Sequence, residues 1–240
     1  MVTGPTATSR RVGALLVISN GFVDAYTYLG HGGVFANAQT GNVILFGVGL
    51  ARPDQVDALT HLWPVLAFVV GVVVAHLFRG EAAARQLHYP LRYVLGLQAL
   101  VLVAVGLLPA SAPEPSITTS IGFVAALQFS LFRSVRTATV VPVAMTGNLM
   151  RTTDALLAAL RGRRREDAVL AALYVSLVLG FAAGAVVGAL VTGVVGTRAV
   201  WIPAAMIVVA LVLFFVDEPR HPAVSEDGAD GADGADVAPG

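Results

Sequence analysis

The chain has 240 residues, 56% of them hydrophobic and only 12% charged, with a mean hydropathy of +0.78. A water-facing domain carries roughly a quarter charged residues, so this composition excludes an ordinary soluble protein. Cysteine is absent, which excludes disulfides, thiolate metal sites and cysteine nucleophiles; a formal net charge of zero conceals a basic body and an acidic end.

In chain order, residues 1–11 form a polar N-terminus ending in Ser9-Arg10-Arg11. The pair before an apolar run resembles a secretory or twin-arginine signal. No small-residue cleavage site follows, however, and Asn20 and Asp24 interrupt the run, so an uncleaved first helix is expected. Apolar runs lie at 12–29, 59–78, 92–109, 117–133, 168–191 and 198–216. Each approaches the roughly 20 residues that a hydrocarbon core of about 30 Å demands of a helix. The alternation of a membrane strand, in segments of roughly ten residues, is missing.

Two further segments, 34–50 and 137–150, are apolar enough to weigh as spans. Arginine, the sole basic residue besides histidine, decides between the topologies by the positive-inside rule. With six spans and a cytoplasmic N-terminus, thirteen arginines fall inside and only Arg52 and Arg198 outside. Eight spans give nine against six, and seven spans give eleven against four. Six spans with both termini cytoplasmic is therefore the expected topology. Residues 217–240, with seven acids and Gly-Ala-Asp triplets, are expected to form a disordered acidic tail.

The chain repeats itself. Gln39-Thr40-Gly41-Asn42 recurs as Met145-Thr146-Gly147-Asn148, an offset of 106 residues that also carries Arg92 onto Arg198. Small residues at four-residue spacing follow each motif: Gly71 and Ala75, then Gly180, Gly184 and Gly188. Such spacing lets helix backbones approach closely in lipid. Three spans is an odd number, so the halves (residues 12–110 and 111–216) insert in opposite senses. The expected fold is an all-α integral membrane protein of six transmembrane helices as two inverted three-helix repeats. Each repeat holds a Thr-Gly-Asn break or half-helix.

Each motif stands between a chain break and an apolar run. Gly30, Gly32 and Gly33 precede the first, and Pro142 precedes the second. Thr40 and Thr146 are suited to cap a helix start, and Gly41 and Gly147 permit close backbone approach. Asn42 and Asn148 could orient a solute by hydrogen bonding. Irregular backbone at membrane depth requires protein or a wet cavity around it. The alternative is an interfacial turn with a capped surface helix.

Asn20, Asp24, Thr27, Tyr28 and His31 share one face of the first helix. Asp24 lies twelve residues beyond Val12, about 18 Å along the axis. A carboxylate there costs about 2.5–3.5 kcal/mol, so it should face the bundle interior or water. It is a candidate for proton or cation coupling, with a structural acid as the plainer reading. His31 is expected to be a solvated residue at the helix end. Arg133 is a possible partner of Asp24 or an ordinary membrane anchor. Gln98, Gln128, Ser130 and Ser176 are further buried polar candidates, Gln128 among them for the solute or ion pathway, although such residues more often hydrogen-bond between helices. The Arg161–Arg165 cluster reads as a topology-setting loop.

The stretch from Gly21 to Leu29, then Gly32-Gly33-Val34-Phe35 and Gln39-Thr40-Gly41-Asn42, resembles the opening signature of the YoaK-like bacterial membrane proteins. Thr146-Gly147-Asn148-Leu149 matches that family in the second half. The resemblance spans nearly all of residues 10–216 and implies a small protein of the bacterial inner membrane. It implies no activity, since the family is itself of unknown function.

No phosphate loop, zinc-type histidine pair or nucleophile elbow occurs, so neither enzyme, metal nor cofactor is expected. Nucleic acid would find no soluble domain to bind. The expected function is transport of a small solute, polar or anionic, with proton coupling at Asp24. A passive channel and a non-transporting scaffold are the alternatives. The expected partners are the bilayer, the solute and, as an option, further copies of the chain.

Overall fold

The computed structural model describes residues 10–77, 90–109, 111–132, 145–162 and 164–217. Arg133, Pro142, Arg163, the first nine residues and the acidic tail lie outside the described residues. The elements are α1 (Arg10–Gly30), α2 (Gln39–Ala51), α3 (Ala58–Leu77), α4 (Pro90–Leu107), α5 (Glu114–Leu131), α6 (Met145–Gly162) and α7 (Arg165–Val195). A 3₁₀ turn (Gly196–Val200) then leads into α8 (Trp201–Asp217). Among the described residues there is no strand.

Among the described residues, three stretches are long and apolar enough to cross a membrane: Arg11–Gly30, Ala58–Leu77 and the 52 residues of Arg165–Val216. The third is broken at Gly196, whose φ of 61° is left-handed. The outer faces of α3, α4, α7 and α8 expose Val69, Val73, Leu100, Leu107, Leu190 and Val212. A broad apolar surface of this kind is foreign to a water-soluble monomer. The chain is an all-helical membrane protein.

Among the spans, α1 is the innermost. Two-thirds of its apolar window (67%) is buried within the protein, against 28% for α3. That difference explains how α1 tolerates Asn20, Asp24 and Thr27, all buried. The partner of α1 is α7, and the partner of α3 is α5. Glycine makes both pairings close. A Cβ at Gly184 would overlap the Ile18 carbonyl, one at Gly21 would overlap that of Phe181, and one at Gly188 would stand 2.6 Å from the oxygen of Phe22. On the other pair, a Cβ at Gly71 would stand 2.7 Å from the Phe123 oxygen. The small-residue spacing thus serves helix packing, although Gly180 meets Ile18 only at an ordinary 3.4 Å.

The remaining pairings follow a reciprocal pattern. Each motif helix lies on the helix that follows it, α2 on α3 and α6 on α7. The last helices of the two halves, α4 and α8, pack together, and each also touches the opening helix of the other half, α5 and α1 respectively. Arg92 Nη2 donates to Phe214 O at 3.0 Å, and its guanidinium carbon stands 4.7 Å from the centroid of the Phe215 ring. Its charge thereby meets the negative end of α8. Arg198, its counterpart by sequence offset, lies in the 3₁₀ turn and is exposed rather than heading a helix. Tyr26 ties α1 to that turn through Thr197 O at 3.1 Å.

The two motif helices differ in kind. With 13 residues, α2 is about 20 Å long, short of a full crossing, and exposes Val43, Ile44, Val48 and Leu50. By contrast α6 has 18 residues, carries Arg151, Asp154 and Arg161, and buries one face through Asn148, Thr152 and Ala155.

A cavity shared by Asp24 and both Thr-Gly-Asn motifs

After α1 the chain turns at Gly32 and Gly33, whose φ values of 72° and 71° are left-handed. It then runs back beside α1 to the start of α2. This return lays the backbone of Asn37 against Asp24: Asn37 N–H donates to Asp24 Oδ1 at 2.7 Å, and Asn37 Nδ2 donates to Asn20 O at 3.1 Å. Asp24 is only 7% exposed, so its carboxylate faces inward. Its contact with a peptide N–H just before α2 sets a negative group against the positive end of that helix.

The first motif is wired into the same loop. Asn42 accepts from Phe35 N–H at 2.9 Å and donates to Phe35 O at 2.6 Å, gripping both polar groups of one residue. It donates as well to Gln39 Oε1 at 2.9 Å. Gly41 leaves room for the Phe35 ring, since a Cβ there would stand 2.8 Å from Cδ2. Asn42 is fully buried and does not line the cavity; its amide is spent on the loop. Thr40 is not the cap that its residue type suggests. Ala38 occupies that position without a side-chain cap, and Thr40 lies one residue inside α2. Thr40 itself lines a cavity.

That cavity has a volume of about 620 Å³. It is lined from α1 by Asp24, Ala25 and Tyr28, and from the loop and α2 by Phe35 and Asn37 through Thr40. From the other half come Phe129 on α5, Met145, Thr146 and Gly147 on α6, and Phe181 and Ala185 on α7, with Phe68 on α3 completing the wall. Among the described residues, five aromatic rings and a single carboxylate dominate the lining. Phe68 and Phe129 meet edge to face, with centroids 5.8 Å apart.

Of the residues that the sequence singled out, Asp24, Tyr28, Thr40, Thr146 and Gly147 come together here. Asn20 reaches the site only through its carbonyl to Asn37. Gly41 and Asn148 lie behind the lining; Asn148 is fully buried, its carbonyl accepting from Thr152 Oγ1 at 2.8 Å. Gln128 is elsewhere, buried and paired with Gln98 Nε2 at 3.5 Å. Arg133 lies outside the described residues. His31 is not solvated: it is 3% exposed, its ring packed edge-on to Tyr26 at 4.8 Å. The turn at Gly32 folds it inward.

Sequence reasoning missed Phe35, Asn37, Phe68, Phe129 and Phe181, which carry no signal beyond ordinary apolar or polar character. It also missed a second cavity of about 460 Å³ adjoining the first at Tyr28. Asp57, Thr60, His61 and Glu114 line it beside Gly32 and Gly33. Asp57 accepts from Leu59 N–H at 3.0 Å and Thr60 Oγ1 at 2.8 Å, bonds that hold its carboxyl below the usual carboxylate range.

A family model described as a protein of unknown function, DUF1275, matches residues 12–213. The chain belongs to this family. Among its relatives is the UPF0700 transmembrane protein YoaK of Bacillus subtilis (strain 168), 33% identical over 89 residues, which is 37% of this chain. The matched stretch spans 40% of the length of that relative. No solved structure matches the chain. Membership of DUF1275 accords with the YoaK-like signature in residues 21–42, and those residues build the Asp24–Asn37 contact and the Asn42 grip on Phe35.

Proposed function

We propose that this DUF1275 protein is a small-solute transporter of the bacterial inner membrane, and not an enzyme, with its solute site in the cavity between the two motifs. One observation carries this reading: Asp24, Thr40, Thr146 and Gly147, far apart in sequence, line a single cavity of about 620 Å³. A lone inward-facing carboxylate at such a site is the natural group to couple a proton or cation. The reading includes six spans, cytoplasmic termini and two inverted halves. It draws support from the exchange of partners in which α1 packs on α7 and α5 on α3. Halves that interlock so reciprocally are suited to rock about a site held between them.

The test is uptake into vesicles carrying the purified protein, with and without an imposed pH gradient. Accumulation that collapses with the gradient, and that Asp24→Asn abolishes, is the expected result. The bond from Asn37 N–H to Asp24 also favours a second reading, a scaffold in which Asp24 merely anchors the loop. Asparagine keeps an acceptor oxygen for that bond. A scaffold therefore accumulates nothing and tolerates Asp24→Asn, whereas a transporter loses its flux.

A further inference from the structure

We propose that the smaller cavity is the outer mouth of the pathway and binds an organic ammonium ion, which passes Tyr28 to reach Asp24. The substrate class assigned here rests on the transport reading above; the binding site does not.

Three observations point to a positively charged guest with N–H donors. Two carboxylates, Asp57 and Glu114, line the mouth, and among the described residues no arginine does. Glu114 is exposed, its Oε2 held 2.7 Å from where a Cβ of Gly32 would be. His61 lines the same space, is only 4% exposed, and its Nδ1 has no hydrogen-bond partner among the described residues. A buried nitrogen left without a partner is costly unless a guest or water satisfies it. Among the described residues no group of histidines and acids is arranged to hold a metal ion, so a bare divalent cation does not fit. An ammonium group fits, since it can donate to a carboxylate and to an imidazole nitrogen at once.

The route inward has the same character. Tyr28 lines both cavities and stacks on Phe35, with centroids 4.9 Å apart and planes 24° apart. Asp24 lies one helical turn, about 6 Å, further along α1. The inner cavity offers aromatic faces and one carboxylate, the pairing that favours organic cations. The positive end of α2 creates no demand for an anion, because Asp24 already faces Asn37 N–H there. The Arg151 guanidinium stands 3.2 Å from where a Cβ of Gly147 would be, but Arg151 is not among the cavity's lining residues. Under the six-span topology, the start of α3, the start of α5 and the end of α1 all face the periplasm, so the mouth takes its guest from outside.

The test is calorimetric titration of propylammonium, with propanol as the neutral isostere, into the full-length protein in detergent micelles, followed by flux of labelled propylammonium into vesicles. Saturable binding of propylammonium and none of propanol is expected. Glu114→Gln, a change at an exposed position, should weaken binding about two- to fivefold, as loss of a partly solvated ion pair implies. Adding His61→Leu should weaken it further. Binding by the wild type without flux would uphold the mouth and sink the assignment of an organic ammonium as the transported solute. Absence of binding, equal binding of propanol, or full binding by both variants would overturn the mouth, whatever solute proves to be transported.

Discussion

The two Thr-Gly-Asn motifs are alike in sequence and unlike in surroundings. In the first, Gly41 underlies the Phe35 ring and Asn42 grips the Phe35 peptide, while Asp24 holds Asn37 two residues further on. In the second, Gly147 meets only the far end of the Arg151 side chain, and Thr146 and Gly147 line the cavity. The 106-residue offset that aligns the motifs carries Asp24 onto Ser130, a buried residue without charge. Among the described residues, one half thus supplies the carboxylate and a tied-down loop, and the other supplies wall. A duplicated motif marks where two halves converge, but its copies need not do the same work.

The largest expected effect follows from that asymmetry of charge. Asp24→Asn should abolish accumulation in vesicles, whereas Ser130→Ala should leave it nearly unchanged; equal effects would erase the distinction between the halves. Next comes the grip on Phe35. Asn42→Leu strips the partners from a peptide N–H and a carbonyl, and each buried group left unsatisfied costs about 1–3 kcal/mol. A thermal melt should reveal the loss, with Asn42→Asp intermediate because it keeps an acceptor for Phe35 N–H. A melt as stable as the wild type would show the clamp to be dispensable.

A smaller effect separates the glycines. Gly41→Ala must displace a packed aromatic ring, a change costing about 1–3 kcal/mol. Gly147→Ala asks only a flexible guanidinium to shift by a few tenths of an ångström. The melting temperature should fall for the first and barely move for the second; the reverse order would contradict the described surroundings. Smallest is the effect of topology reporters. Ser111→Cys should label from the periplasm and Arg164→Cys only from the cytoplasm, each without loss of stability, since both sites are exposed. Labelling of Arg164→Cys from outside would break the inverted arrangement.

The helical frame was legible because its signal is coarse. Runs of about 20 apolar residues survive any detail of packing, and the helices begin and end within a few residues of those runs, apart from the turn that puts Arg198 outside α8. Duplication and the cost of a carboxylate in lipid singled out Asp24, Thr40, Thr146 and Gly147, which line one cavity, and also Asn42 and Asn148, which do not. The wiring of the site was not legible. Asn42 acts on Phe35, seven residues back across a loop whose path depends on two left-handed glycines. Phe68, Phe129 and Phe181 resemble every other lipid-compatible residue until packing turns them inward. The mouth joins the starts of α3 and α5 to the turn after α1, segments that no periodicity connects.

The central claim is that the two motifs share one cavity, and a double-cysteine experiment tests it most directly. The native chain has no cysteine, so Thr40→Cys and Thr146→Cys introduce the only two thiols. Treatment of the purified double variant with a short bifunctional thiol reagent should join them within one chain, and each single variant should lose uptake on modification by a small monofunctional reagent. Efficient single labelling of both cysteines with no intramolecular cross-link would contradict the shared cavity.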